Sequence, residues 1–559
     1  MELNQPKNGN SLFYCRFGGL LIQFQFFIML VSFGALTSKT YAFRARPWEL
    51  RSVNSIDIFD GLGSNTKIDF KNDEILRLLP RKCDSINGFW ISNKSRYFYD
   101  AVKNNRLGSP YLKKNGRYVK VGWKKALNLV TQLFKVVTLE YGMHGCNFIY
   151  SSCLSTQSLL SLKSVANLLG LKTYNIGASS FNGDYANTYN FQMPISSLDT
   201  VSDFVFIGVD PRHEASTLNL RLRKYQQEGG SLDKKDNSAV SVVSIGATTS
   251  PTIKQSTPAL SLKELALIAM GRSTVCNHLA SNSTAKRYYL PLVAASFTNF
   301  ESCLSAPHYL AKATSWGVYG KRVAFFYGDS LTWRADKENT LSLLQTIQNC
   351  LGLLSKKSIY LNYLSGKSNA AGAANLGLGS SNKLGISKPV LNYSVGDSVS
   401  TSAKSGIVIS QSAFFNEGDI LLPRALFVES SESYTNVEGV VQSTNRAVDA
   451  PGLATADWAI FRALAFAANK KSLFKNKGML FAWGQSLSPS FCSFKTSLIK
   501  NFNLKNYSFI EMKELRLFKK PLTPSIYDFY KSNTICQHSV NLNKGSKALK
   551  ANHSNYNFI

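Results

Sequence analysis

Acidic residues, histidine and closely spaced cysteine are scarce in this sequence. Asp and Glu number 34 against 64 Lys and Arg, which leaves a formal charge of +30 over 559 residues. The nine cysteines stand at 15, 83, 146, 153, 276, 303, 350, 492 and 536. That is too sparse for a disulfide scaffold. No two form a C-x-x-C, which excludes a zinc knuckle, a ferredoxin-type run and a thioredoxin-type pair. Three Cys/His pairs share a spacing of two: His144/Cys146, Cys276/His278 and Cys536/His538. A closed zinc site needs two such pairs meeting in space, and the bland reading is scattered reduced thiols. Neither a Gly-x-Ser-x-Gly elbow nor a His-Glu-x-x-His helix occurs, and the six histidines suggest no Ser/His/Asp set. A mean hydropathy of −0.10 excludes a polytopic membrane protein.

What is present suffices for folded domains. Hydrophobic residues make up 44% and aromatics 12%, more than a disordered chain carries. The length predicts about three or four domains or subdomains. An apolar stretch runs from Gly18 to Ala35, interrupted by Gln23 and Gln25. It is about as long as a marginal membrane span of roughly 18–20 residues. A membrane anchor, a targeting segment and a strip buried against a partner all remain open for it.

Residues 50–82 predict a small antiparallel unit: Ser55–Phe59 alternates in period two, Gly61–Asn65 is a turn cluster, and Lys67–Phe70 and Glu74–Leu78 follow. From 121 onward strands alternate with helices. Trp123–Leu139 carries apolar residues at helical spacing, and Cys146–Tyr150 reads as a strand. Ser155 caps a helix that Gly170 stops. Phe204–Ile207, Val240–Ile245, Val323–Phe326 and Ile407–Ile409 read as buried strands, the first followed by a helix through Leu218 and Leu222. This order predicts α/β domains with parallel sheets flanked by helices. Gly, Ser, Asn and Ala dominate 365–405, which reads as loops. From Lys470 onward the chain carries 15 Lys and Arg against three acids with little periodicity. The expected divisions are an apolar extension at 1–43, a small β-rich subdomain at 44–120, an α/β body at 121–470 and a basic extension at 471–559.

Two phosphate-loop fragments fail on their own terms. Gly366-Lys367-Ser368 lacks the glycine five positions earlier, where Leu361 stands. Gly377-Leu378-Gly379 ends at Asn382 where a dinucleotide fingerprint needs glycine. The basic excess is spread along the chain with some weight at 495–550, and charge alone supplies only non-specific nucleic-acid binding. A surface for an acidic partner or anionic lipid is the plainer reading.

Several blocks in a shared order carry a resemblance: Phe33–Phe43 running into Arg44-Ala45-Arg46-Pro47-Trp48-Glu49-Leu50, then Ile86-Asn87 to Ser92, Gly208–Ala215, Asp419–Pro423, Tyr434–Gly439 and Pro451–Leu464. Over about residues 33–470 the chain resembles the C-terminal, molybdopterin-oxidoreductase-like part of the large iron–sulfur subunit of respiratory complex I, the NADH:ubiquinone oxidoreductase. The resemblance implies a multi-domain molybdopterin-oxidoreductase-like body. Where that family has a cluster-ligating cysteine before the Gly-Ala-Leu-Thr stretch, this chain has Val31, and only Cys83 lies between residues 44 and 145. The expectation is therefore a split chain with no cofactor of its own, no catalytic or metal-binding residue, and [4Fe–4S] and [2Fe–2S] clusters and FMN on partner subunits. Those partners are other complex I subunits, especially the chain bearing the N-terminal iron–sulfur domain and the flavin-bearing subunit, at the matrix side of the mitochondrial inner membrane. No nucleic acid is expected. Membrane contact comes through the complex, with direct anchoring by 18–35 left open. Arg46, Trp48 and Glu49 are the candidate partner-facing residues. Val440 stands in place of a usual arginine, and the Asn436/Glu438 loop and Asp210-Pro211-Arg212 read as internal packing features. The competing readings are an active molybdopterin-dependent oxidoreductase and a basic organellar nucleic-acid-binding protein.

Overall fold

A computed structural model describes residues 41–176, 189–227, 241–246, 323–348, 359–378, 390–396, 406–469, 474–487 and 522–556, with a few single positions in these ranges excepted. The apolar strip at 18–35, the Cys276/His278 pair, Asn382 and most of the basic 495–550 stretch lie outside them.

The chain opens as a three-stranded antiparallel sheet of β1 (Arg51–Ile56), β2 (Asn65–Lys71) and β3 (Glu74–Pro80). The expected antiparallel unit is there, but its first strand ends at Ile56. Asp57, Ile58 and Phe59 then turn inward, all buried, so the period-two alternation read across them does not divide a buried from an exposed face. Gly61 lies where three parts of the chain converge. A Cβ there would come within 2.7 Å of both the Ser365 carbonyl and a Val437 methyl, so only glycine lets this turn seat.

A hairpin of β4 (Tyr111–Lys114) and β5 (Arg117–Lys120) leads to β6 (Cys146–Ser151) and β7 (Lys172–Ile176). Next come β8 (Asp203–Ile207), β9 (Ser241–Ile245), β10 (Val323–Gly328) and β11 (Ile359–Leu364). Then follow β12 (Leu391–Val395), β13 (Ile407–Ser412), β14 (Ile420–Pro423) and a short pair, β15 (Ser433–Thr435) and β16 (Val441–Ser443). They assemble into a seven-stranded sheet ordered β5-β4-β14-β13-β12-β6-β7 and a four-stranded sheet ordered β11-β10-β8-β9. Every pair in these two sheets is parallel except those involving the hairpin, whose β4 joins β14 antiparallel. The α/β class with parallel sheets and a small antiparallel unit is thus as the sequence predicts.

Helices α1 (Trp123–Tyr141) and α2 (Thr156–Leu169) cover the larger sheet. The α1 stripe Ala126, Leu127, Val130, Phe134 and Val137 is buried, and Ser155 and left-handed Gly170 cap α2 as expected. Helix α3 (Ser216–Gln227) buries Leu218 and Leu222 on the smaller sheet.

Two readings need correction. The loop-like 365–405 stretch contains a short helix, Ala370–Asn375, and strand β12, which pairs with both β6 and β13. The basic segment after 470 supplies α5 (Lys477–Leu487), which with α4 (Asp457–Ala467) packs on α2, and then α6 (Thr534–His538) and α7 (Val540–Tyr556). Leu480, Ile535, Cys536 and Leu542 from this segment are buried, so its described part contributes to the core.

Candidate functional site

In an open parallel sheet, ligands bind outside the strand carboxyl ends where the strand order reverses. Both parallel sheets have such a point. In the larger one β6 and β12 are neighbours, with β7 outside β6 and β13 and β14 outside β12. In the smaller one β8 and β10 are neighbours, with β9 and β11 outside them.

Ser151 and Gly396, at the ends of β6 and β12, line the first crevice with Cys153, Lys367, Arg424 and Tyr434. The guanidinium there is committed inward. Arg424 binds Asp457 in bidentate fashion at 3.0 and 2.9 Å, and Gln411 and Ser158 each donate to the same carboxylate at 2.7 Å. Both members are buried, so each depends on the other for its solvation. Burial, with the nearby Asp457 charge, raises Glu432 above the usual carboxyl range. The opposite wall comes from the far end of the chain: Ser532 to Ile535 and Gln537. Asn533 Nδ2 lies 3.8 Å from Cys153 Sγ. The space left is about 90 Å³.

The second crevice is acidic. Asp210 caps the Pro211–Glu214 turn by accepting from the Arg212 amide at 3.0 Å and meets His213 Nδ1 at 2.8 Å. Buried Glu214 accepts from Ser525 Oγ at 2.6 Å, and its other oxygen has no hydrogen-bond partner among the described residues. Buried Asp329 accepts from the Tyr363 hydroxyl. Burial raises both carboxyls, holding them toward the neutral form, and the Asp329 charge adds to the rise at Glu214. Gly208 and Gly246 both take positive φ, at +62° and +83°. Leu522 fills the space above them, its Cδ1 only 2.2 Å from where a Gly246 Cβ would stand.

Sequence reasoning missed a third cluster. Asp57 accepts from the Phe59 amide at 2.9 Å and from Ser95 Oγ, and Asp60 accepts from the Leu62 amide at 3.1 Å. Burial, then the adjacent Asp57 charge, pushes Asp60 up to about 7. Buried Lys94 donates to the Phe59 carbonyl and to Ser532 Oγ, both at 3.4 Å, over the Phe529 ring at 4.8 Å. No spacing rule links residues 57, 60 and 94 to residue 532.

The residues singled out from sequence take the following places. Arg46 to Glu49 form one exposed turn: the Glu49 carboxylate accepts from the Arg46 amide and from Lys71 Nζ, each at 2.9 Å, which lowers its pKa. Trp48 projects outward at 80% exposure. Asn436 Oδ1 accepts from the amides of Glu438 and Val440 at 3.0 and 2.9 Å, and Glu438 accepts from the Ile195 amide at 2.6 Å. That is the internal packing expected of this loop. Cys536 lies on α6 and not on a strand, and His538 packs edge-on against Phe414 at 4.1 Å. Among the described residues, no three His, Cys, Asp or Glu side chains group as a metal site would require.

Comparison with known proteins places this geometry. Residues 106–467 match the family model described as molybdopterin oxidoreductase, and residues 50–100 match the NADH-ubiquinone oxidoreductase NDSU1/NuoG-like 4Fe-4S domain. The NADH-ubiquinone oxidoreductase 75 kDa subunit of Reclinomonas americana is 28% identical over 552 residues, covering 94% of this chain and 72% of the relative. The mitochondrial 78 kDa subunit of Neurospora crassa is 26% identical, covering 95% and 67%, and that of Candida albicans is 27% identical, covering 92% and 67%. In fold, the chain is similar to acetylene hydratase from Pelobacter acetylenicus, with a TM-score of 0.50 at 11% identity over 78% of this chain and 72% of that one.

These matches correct the expectation that all clusters lie on partner subunits. A 4Fe-4S domain is recognised within this chain at residues 50–100, and the relatives are large subunits of NADH-ubiquinone oxidoreductase. Cys83 is the cysteine of that stretch, half-buried, with Sγ 3.2 Å from Ser85 Oγ. A four-iron cluster takes four thiolates. Cys83 is the one thiol that residues 50–100 could offer it. For a pterin cofactor the first crevice does not fit. About 90 Å³ remains in it, where small-molecule sites run to about 300–1,000 Å³.

Proposed function

The chain belongs to the molybdopterin oxidoreductase family, and from that premise we propose that it serves as the large iron–sulfur subunit of a mitochondrial NADH:ubiquinone oxidoreductase, seated in the peripheral, matrix-side arm. The observation that carries this reading is the union in one chain of an NADH-ubiquinone-oxidoreductase-type domain at 50–100 with the oxidoreductase body at 106–467. The same order aligns over 94% of the chain with a relative of that name. The role is to support NADH-to-ubiquinone electron transfer coupled to proton translocation, with the flavin-bearing and other iron–sulfur subunits as partners. The chain's own residues contribute a rigid body: the Arg424–Asp457 and Arg106–Glu429 pairs fix the loops at the strand ends. The Arg46–Glu49 turn offers a partner-facing surface. Its exposed Trp48 is the kind of side chain that anchors such contacts, while Glu49 is held by Lys71. Among the described residues no helix is long and apolar enough to cross a membrane, which accords with attachment through partners. The filled crevices weigh against an active molybdopterin enzyme.

Affinity isolation of the native assembly through a tag on this chain tests the proposal. Flavin-bearing and iron–sulfur subunits with NADH-oxidising activity are expected in the eluate. Recovery of the chain alone, or with nucleic acid in place of those subunits, would overturn it.

A further inference from the structure

We infer that Leu522 and residues 525–538 form an intrachain plug that closes the crevices of both parallel sheets, in the place where a dinucleotide-class ligand would bind. The two crevices are the ligand-binding positions of such sheets. Glycines at strand ends ordinarily let a ligand's phosphates approach the backbone. Here Gly208 and Gly246 admit Leu522, and a Cβ added at Gly366 would meet Ile526 at van der Waals distance. These apolar side chains offer a phosphate nothing.

The segment is fastened along its length by groups from separate parts of the fold. Ser525 donates to buried Glu214 in the second crevice. Lys94, from the N-terminal unit, reaches Ser532. Asn533 meets Cys153 in the first crevice. Beyond it, Ser539 donates to Asp100 at 2.5 Å and the Asn541 amide to the same carboxylate at 2.9 Å. A loosely attached tail has no reason to place an apolar side chain in one crevice and a polar contact in the other while a buried lysine donates to it.

Three thiols report on this directly. Cys153 lines the first crevice, Cys536 is buried on the plug, and Cys146 is buried in β6 as a monitor of the whole body. The full-length chain is treated with a maleimide across a urea series, and each cysteine is quantified by mass spectrometry. Cys153 and Cys536 are expected to react together, with one urea dependence, at concentrations where Cys146 stays protected. Leu522→Ala in the full chain is expected to raise both rates about tenfold or more without exposing Cys146, although Leu522 sits in the other crevice. Cys153 reacting freely in the absence of urea while Cys536 stays protected would overturn the inference. So would a Leu522→Ala chain in which Cys536 opens and Cys153 does not, or in which neither changes. Should that substitution expose Cys146 as well, the urea series on the unaltered chain decides.

Discussion

Asp60 shows at the residue scale how burial writes a pH dependence into the fold. Its ordinary value is 3.8 and the folded chain holds it at about 7. Below about pH 4 the carboxyl is protonated folded or unfolded. As pH rises toward 7, the unfolded chain releases the proton and the folded chain keeps it, so unfolding is increasingly favoured. Above about 7 the loss is complete and constant. Asp60→Asn imitates the neutral carboxyl and removes this contribution. Its melting temperature, measured from pH 4 to pH 8, is expected to fall less steeply with pH than that of the parent, with the gap widest at the alkaline end. Identical slopes would contradict the assignment. None of this is legible from residue order. The alternation Ser55–Phe59 puts Asp57 on a solvent face, whereas the strand stops at Ile56 and the following turn is enclosed on all sides. Arg424 is likewise visible in sequence only as the neighbour of one family block and Asp457 as a member of another, because their pairing spans 33 residues.

At the scale of elements, legibility follows hydrophobic contrast. The α1 stripe, the Ser155 and Gly170 caps and the buried strands β6, β8 and β13 are all readable, since apolar periodicity and capping chemistry act locally. Strand β12 is not. Asn392 and Ser394 interrupt its apolar run, and the Ser394 hydroxyl is satisfied by the Ile409 carbonyl at 3.2 Å, a partner only the folded sheet provides. Helix α5 is hidden by the basic character of its neighbourhood, yet it presses closely on α2. A Cβ on Gly484 would lie 2.6 Å from Leu160 Cδ1. Gly484→Val is therefore expected to overpack this contact and cost about 1–3 kcal/mol, read as a lower denaturant midpoint with an unchanged slope. A neutral or stabilised variant would mean that α5 does not bear on the core as described.

For the whole molecule, the shared order of several modest sequence blocks identifies the family more securely than any single motif, and the family models cover every block after the first. The cofactor expectation failed for a physical reason. It counted cysteines and so treated a missing ligand as a missing domain, whereas the fold of residues 50–100 is recognisable without them. The C-terminal segment is opaque in sequence because its role depends on contacts with residues hundreds of positions away, such as Asp100 and Cys153. The central claim is membership of the NADH:ubiquinone oxidoreductase, and its most direct test is kinetic. NADH:ubiquinone reductase activity of the source organism's mitochondrial membranes, measured after depletion of this chain and after its re-expression, should fall with the chain and return with it. An activity unaffected by depletion would contradict the account.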